Sequence, residues 1–250
     1  MANFIFEESR IAQHILKYGV DVRPALSLKA DKTKLLDYCN WLTAEFPEVF
    51  ETLLSGPQKL LIHKAFTASH NKQVELPTFV LTERGPVYTF PIKIRMDEVE
   101  DFDVPRKDDI FVKALKRFWK VFSDRRSPRV GAVNEIIFDC GTVNATEIIS
   151  DGLSKLRWKD GLENIKIRLE NPRNGNNVTT EIWPVQAQRV QSDGSGTSQQ
   201  HVGYGIGVKV DINNRDMSGE LTETDVRAII GFASGFVSDE LYSFLNNEQE

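Results

Sequence analysis

The chain has 250 residues, with 31 Lys and Arg against 36 Asp and Glu, a formal net charge of -5 at pH 7. That balance excludes a generally basic polyanion binder while leaving room for a local basic patch. With 40% hydrophobic and 27% charged residues, the sequence can bury a globular core without a disulfide or metal staple.

Cys39 and Cys140 are the two cysteines, and they lie far apart. A reduced pair and a cytoplasmic location are the expectation. No apolar run reaches the length of a membrane span, and residues 1–10 lack a basic segment followed by a long apolar one. The sequons at Asn144 and Asn177 then carry no meaning.

Ile11, Ile15 and Leu16 suggest a short helix, and residues 20–28, broken by Pro24, an extended edge segment. Asp31 is the expected N-cap of a helix to about Glu45, whose apolar face is Leu35, Cys39, Leu42 and Phe46. Residues 47–54 read as a turn before the Ser55-Gly56-Pro57 break. Strands follow over 59–66, 79–82 and 87–96, the last two joined by the turn Glu83-Arg84-Gly85-Pro86. Pro91 within the last of these marks an edge or a bulge.

Residues 97–109 form an acidic loop, and Asp108 or Asp109 caps a helix to about Asp124 striped by Phe111, Leu115, Phe118 and Phe122. A strand over 130–140 and a short helix over 145–156 come next. Residues 163–212 read as a β meander. Its parts are a strand with Ile165, Ile167 and Leu169, a strand over 178–190 bulged at Pro184, a mobile polar loop over 191–200, and a last strand. In that last strand Val202, Tyr204, Ile206, Val208, Val210 and Ile212 alternate with His201, Gly203, Gly205, Gly207, Lys209 and Asp211, so one face is buried. The glycine stripe on the opposite face requires close contact with a helix or an open floor under the 191–200 loop. A long C-terminal helix starts at Thr222 or Thr224 and buries Val226, Ile229, Ile230, Ala233, Phe236, Val237, Leu241 and Phe244.

The expected fold is therefore α+β, a mostly antiparallel sheet with helices packed over one face and a long C-terminal helix. One domain spans 1–250: a helical and extended segment over 1–57, then the sheet and its covering helices over 58–250.

The order of a Pro47-Glu-Val-Phe segment, two strands, an amphipathic helix, the strand Arg129-Val-Gly-Ala-Val-Asn-Glu-Ile-Ile, a long hairpin with Val210-Asp211-Ile212, and a helix ending Phe236-Val-Ser-Asp-Glu-Leu is specific in layout. It resembles a sporadically distributed, uncharacterised prokaryotic α+β protein family, over about residues 47–245. The resemblance implies a polar strand, represented here by Asn134 and Glu135. It implies a fold and brings no activity.

Among chemistry-bearing groups, His14, His63, His70 and His201 form no helical pair and have no nearby cysteine, so no metal and no cofactor are expected. Ser69-His70-Asn71-Lys72 has Ser-x-x-Lys spacing without the companion motifs. Cys140, at a strand end, reads as an idle thiol. Lys113, Lys116, Arg117, Lys120, Arg125, Arg126 and Arg129 form a candidate basic patch. A solvated face offset by the acidic loop is its bland reading, and a phosphate-docking turn its functional one. Gly203, Gly205 and Gly207 are a second candidate. With Gly194-x-Gly196 they are similar to the glycine loop of CRISPR-associated RNA-binding ferredoxin-like proteins, but lack the basic residue expected in the gap.

The function expected is a non-catalytic binding or assembly protein acting through protein–protein contacts, with self-association through a sheet edge or the meander among them. The alternatives are an RNA- or nucleotide-binding module built on helix 113–129 and segment 194–207, and a hydrolase using distant residues such as Glu135 and Asp139.

Overall fold

Alternating apolar residues build one continuous antiparallel sheet. A computed structural model describes residues 4–55, 60–67, 73–94, 106–154, 165–193, 196–216 and 218–246. Its strands are β1 (Ile11–Arg23), β2 (Thr52–Ser55), β3 (Leu60–Thr67), β4 (Gln73–Thr82), β5 (Gly85–Ile94), β6 (Arg126–Gly141), β7 (Ile167–Glu170), β8 (Asn176–Asp193) and β9 (Gly196–Asn214). They join in the order β2-β3-β4-β5-β1-β6-β9-β8-β7. The central pair is β1 and β6, and a meander grows outward from each. The helices are α1 (Lys32–Glu45), α2 (Lys107–Val121), α3 (Ala145–Ile148) and α4 (Glu223–Gly235). From α4 the chain passes through a π-helical turn, Phe236–Glu240, into α5 (Leu241–Leu245).

Period-two burial selects the face the helices cover. Leu16, Tyr18, Val20 and Val22 of β1 lie on it with Ala132, Ile136 and Phe138 of β6 and Ile206, Val208, Val210 and Ile212 of β9, all buried. Aromatic rings lock the helices down. Phe111 of α2 stacks on Tyr18 with centroids 4.5 Å apart, and Tyr38 of α1 packs on Phe79 and edge-on to Phe118. Buried hydroxyls are satisfied: Tyr38 and Tyr88 bond each other, and Tyr38 donates to the Ala114 carbonyl. On the other half, Tyr242 of α5 meets Phe138 edge-on. Asn246 accepts from the Phe6 amide and donates to the Phe6 carbonyl, so the two ends of the described chain are tied together.

The α+β architecture agrees with the sequence reading, and four local expectations change. The short helix at 11–16 and the start of the edge segment, as far as Arg23, are one strand, and β1 lies at the centre of the sheet. Register shifts at Ile11/Gln13 and His14/Ile15 break its alternation, so buried Ile11 and Leu16 are an odd number apart and mimic helical spacing. The same bulge, opposite the stretch from Pro91 to Lys93, accommodates Pro91. Of the expected 191–200 loop, residues 191–193 and 196–200 are ladder instead, with β8 and β9 paired out to Asp193 opposite Gly196. Pro184 sits in regular register opposite Ile206, and the shift falls at Ala187/Gln188. Because β7 pairs only with Thr179–Ile182 of β8, Pro184 faces no described strand on its other side and its missing N–H costs no ladder bond. Part of the turn at 47–54 is β2.

Of the three long helices, α4 alone starts at a side-chain cap, and the N-cap position of α2 falls to Arg106 and not to Asp108 or Asp109. Thr222 and Asp225 form a full capping box at α4. Asp31 holds the N-cap position of α1, yet its carboxylate turns to other donors, the Ser27 amide at 2.9 Å and Arg125 Nη2 at 2.9 Å. Asp108 and Asp109 lie inside the first turn of α2, where the helix dipole favours negative charge. Asp108 also accepts from the Tyr18 hydroxyl, and burial followed by that carboxylate pushes the Tyr18 pKa up.

The Arg125–Asp31 pair joins the start of α1 to the turn between α2 and β6, with side chains only 16% and 10% exposed. Replacing Arg125 with Ala strands a largely buried carboxylate. Urea unfolding of Arg125→Ala is expected to show a loss of about 3 kcal/mol; an unchanged midpoint would contradict a structural role for this residue.

Candidate functional site

The seven bases proposed as one patch are dispersed. Lys113 pairs with Glu45 of α1, and Lys116 Nζ lies 2.8 Å from Glu223 at the start of α4. The Arg117 guanidinium lies over the Trp41 ring at 5.7 Å. Arg125 is held by Asp31, while Lys120 and Arg126 are exposed. Arg129 lies opposite Asp21 in the ladder, on the face away from the helices. Of the acidic loop, Asp108 and Asp109 are described; Asp97, Glu98, Glu100, Asp101 and Asp103 fall outside the described residues, as do Ser69-His70-Asn71-Lys72 and Gly194.

The uncovered face carries a row of charge created by register. Glu135 of β6, Lys209 of β9, Glu181 of β8 and Arg168 of β7 lie side by side. Lys17 Nζ of β1 reaches Glu135 Oε2 at 2.6 Å, and Arg168 Nη1 reaches Glu181 Oε1 at 2.8 Å. The signs alternate across five strands, so each charge has an opposite neighbour. The Lys166 ammonium, bonded to Glu181, and the Arg168 guanidinium beyond it hold the Glu181 carboxyl below the usual carboxylate range. Along the strand from this row, Lys17, Gly19, Asp21, Arg84, Arg129 and Asp211 help line a shallow depression of about 360 Å³. Acids and bases mix within it, so it selects neither sign of ligand.

This face also answers the question of the glycine stripe. Trp183 of β8 stands opposite Gly207 of β9, and its indole lies across the bare backbone. A Cβ on Gly207 would sit 2.4 Å from Trp183 Cε2. Gly205 is hemmed in by the Phe138 carbonyl oxygen at 3.0 Å and Ile137 Cγ2 at 3.2 Å from the same construction, and Gly203 by the Gly141 carbonyl oxygen at 3.1 Å. The stripe is therefore neither packed on a helix nor an open floor at Gly207; a neighbouring strand's aromatic fills it. Lys166 Nζ lies 5.9 Å from the Trp183 ring.

The polar strand positions have structural partners. Asn134 Oδ1, on the helix-covered face, lies 2.9 Å from His14 Nε2. Glu135 and Asp139 share the opposite face but stand four residues apart, about 13 Å along a strand. Lys17 engages the first, and the second accepts from the Gly141 amide at 2.8 Å. That separation exceeds the span across which two carboxylates flank one scissile bond. Burial pushes the Cys39 and Cys140 thiols up to about 12, which leaves them protonated and inert at neutral pH. Among the described residues, no three His, Cys, Asp or Glu side chains converge to hold a metal, and no helix is long and apolar enough to cross a membrane.

A second region, which sequence patterning missed, lies where the sheet ends. β7 is the terminal strand, and no described strand pairs with its outer edge. Beside it a groove of about 580 Å³ runs between the strand and the C-terminal helix; Leu169, Val178, Phe236 and Phe244 share its lining with polar groups that include Asn171, Arg173, Thr180, Asp239, Glu240 and Ser243. Among the described residues four large hydrophobic side chains are exposed: Ile5, Val143, Leu169 at 39% and Phe244 at 43%. The last two share this groove. Arg173 and Glu240, both on its lining, form an ion pair.

The Trp183–Gly207 contact sets the sign of a substitution. Alanine for glycine within a strand normally gains about 0.5–1 kcal/mol. Here the new methyl must lift the indole, so Gly207→Ala is expected to cost about 1–3 kcal/mol in chemical denaturation and to shift tryptophan emission to the red. A gain in stability would show that the indole does not rest on Gly207.

No protein-family model matches the chain, and no curated protein or solved structure matches it.

Proposed function

We propose that this chain is a non-catalytic binding and assembly protein whose protein–protein contacts form at the β7 edge and the groove beside it. The observation that carries this reading is the coincidence, at one place, of a strand edge with which no described strand pairs and two exposed large hydrophobics, Leu169 and Phe244. Edge strands are ordinarily blunted, because their free N–H and C=O groups recruit other strands. A groove alongside such an edge, in which Leu169, Val178, Phe236 and Phe244 sit among polar neighbours, suits strand addition, where main-chain bonds supply affinity and the groove accepts alternate side chains. The ion pairs on Lys113, Lys116 and Arg125 favour this reading over nucleic-acid binding, since a phosphate would have to displace a carboxylate at each. A reducing compartment such as the cytoplasm suits two buried free thiols, Cys39 and Cys140. Membership of the prokaryotic family that the element order resembles belongs to the same proposal, and rests on layout.

Sedimentation velocity over a wide micromolar range tests the reading. The wild-type chain is expected to associate, and Leu169→Lys with Phe244→Asp to weaken association by at least on the order of 10-fold. A wild-type chain that stays monomeric throughout, or a double variant that associates equally well, would overturn it.

A further inference from the structure

Strand β7 reads Ile167-Arg168-Leu169-Glu170, and its backbone directions are fixed by the ladder to β8. The Asn171 amide donates to the Val178 carbonyl at 2.8 Å, continuing the register in which Leu169 faces Thr180. Hydrogen-bonded and non-hydrogen-bonded positions alternate along an antiparallel ladder, so Leu169, two residues from Asn171, also turns its N–H and C=O inward. Those of Arg168 and Glu170 point outward, to the edge with which no described strand pairs. Their side chains lie on the uncovered face at 56% and 67% exposure, while Leu169 projects into the groove.

We propose that the occupant of this edge is a second copy of the chain, with β7 pairing antiparallel to β7 of its twin about a two-fold axis through Leu169. This rests on the reading of the β7 edge as the contact surface. Centred on Leu169, the pairing sets Arg168 opposite Glu170 of the twin and Glu170 opposite its Arg168. Both are outward-bonding positions, so each pair also exchanges two main-chain hydrogen bonds. Shifting the centre by one residue sets Arg168 against Arg168, or Glu170 against Glu170, which like charge disfavours. The alternating charge row thus continues across the axis, and the sheet becomes continuous through both copies. On the groove side Leu169 meets its twin at a non-hydrogen-bonded pair, where side chains approach most closely. The exposed Phe244 rings flank them and lose water contact. In the single chain Arg168 is held by Glu170 at 2.9 Å and Glu181 at 2.8 Å. Glu170 is exposed and its hold on Arg168 is readily shared with an incoming carboxylate, while Glu181, at 14% exposure, keeps the guanidinium in place.

Two single charge reversals test both the twin and its register. Arg168→Glu and Glu170→Arg each convert both cross-axis pairs into repulsions, and each alone is expected to associate roughly 10-fold more weakly than wild type. Mixing the two variants restores both attractions in the heterodimer, so the mixture is expected to associate as wild type does. A mixture as weak as its components, with wild type still associating, overturns this pairing and leaves the assembly reading standing; a wild-type chain that does not associate overturns both. Leu169→Cys supplies a readout independent of the charge changes. At a non-hydrogen-bonded pair its thiols fall within disulfide reach, while Cys39 and Cys140 are buried, so mild oxidation is expected to yield a covalent dimer. Absence of that dimer overturns the register.

Discussion

One-sided cover of the sheet is the constraint on which the rest of this molecule depends. The nine described strands span about 38 Å at the usual spacing. α2 and α4 are stitched by Lys116–Glu223 and Arg227–Asp109, so the helices form a continuous layer over the centre of the sheet. At β7, where the described sheet ends, Leu169 holds a covered-face position and yet stays 39% exposed. The edge and the groove therefore coincide at one end of the described sheet.

The opposite face meets a different constraint. No described helix covers it, so it must be compatible with water while its backbone stays paired. Matched charge supplies that compatibility: Lys17, Glu135, Lys209, Glu181 and Arg168 alternate across five strands. The solvent-facing charges of this row are screened by water, so the row acts on solubility and on partner choice more than on stability. Trp183 completes the face by filling the space that Gly207 leaves, which keeps the long β8–β9 hairpin continuous where small residues would weaken it.

What the sequence reveals follows from how local each signal is. Alternation over β9, the Thr222–Asp225 cap of α4, the Glu83-Arg84 turn and the stripe of α2 depend on neighbours in the chain, and all are legible. β1 is misread because two bulges break its alternation. The 191–200 segment looks like a loop because its composition is polar, while its strand state is propagated by the ladder from the apolar stretch around Trp183 and Ile206. The groove depends on which strand ends the sheet, and a four-residue strand such as β7 announces nothing about its place in the order. The basic patch looks continuous in sequence, yet Arg125 precedes β6 and turns to Asp31 while Arg129 emerges on the far face. Trp183 and Gly207 stand 24 positions apart, and only register brings them together.

Backbone hydrogen exchange at β7 tests the central claim most directly. In a strand that only ends the sheet, the amides of Arg168 and Glu170 face solvent and exchange fast at any concentration. If β7 is the assembly edge, those two amides gain protection as the chain is concentrated, while the already bonded Leu169 amide changes far less. Uniformly fast exchange of Arg168 and Glu170, independent of concentration, would contradict the account.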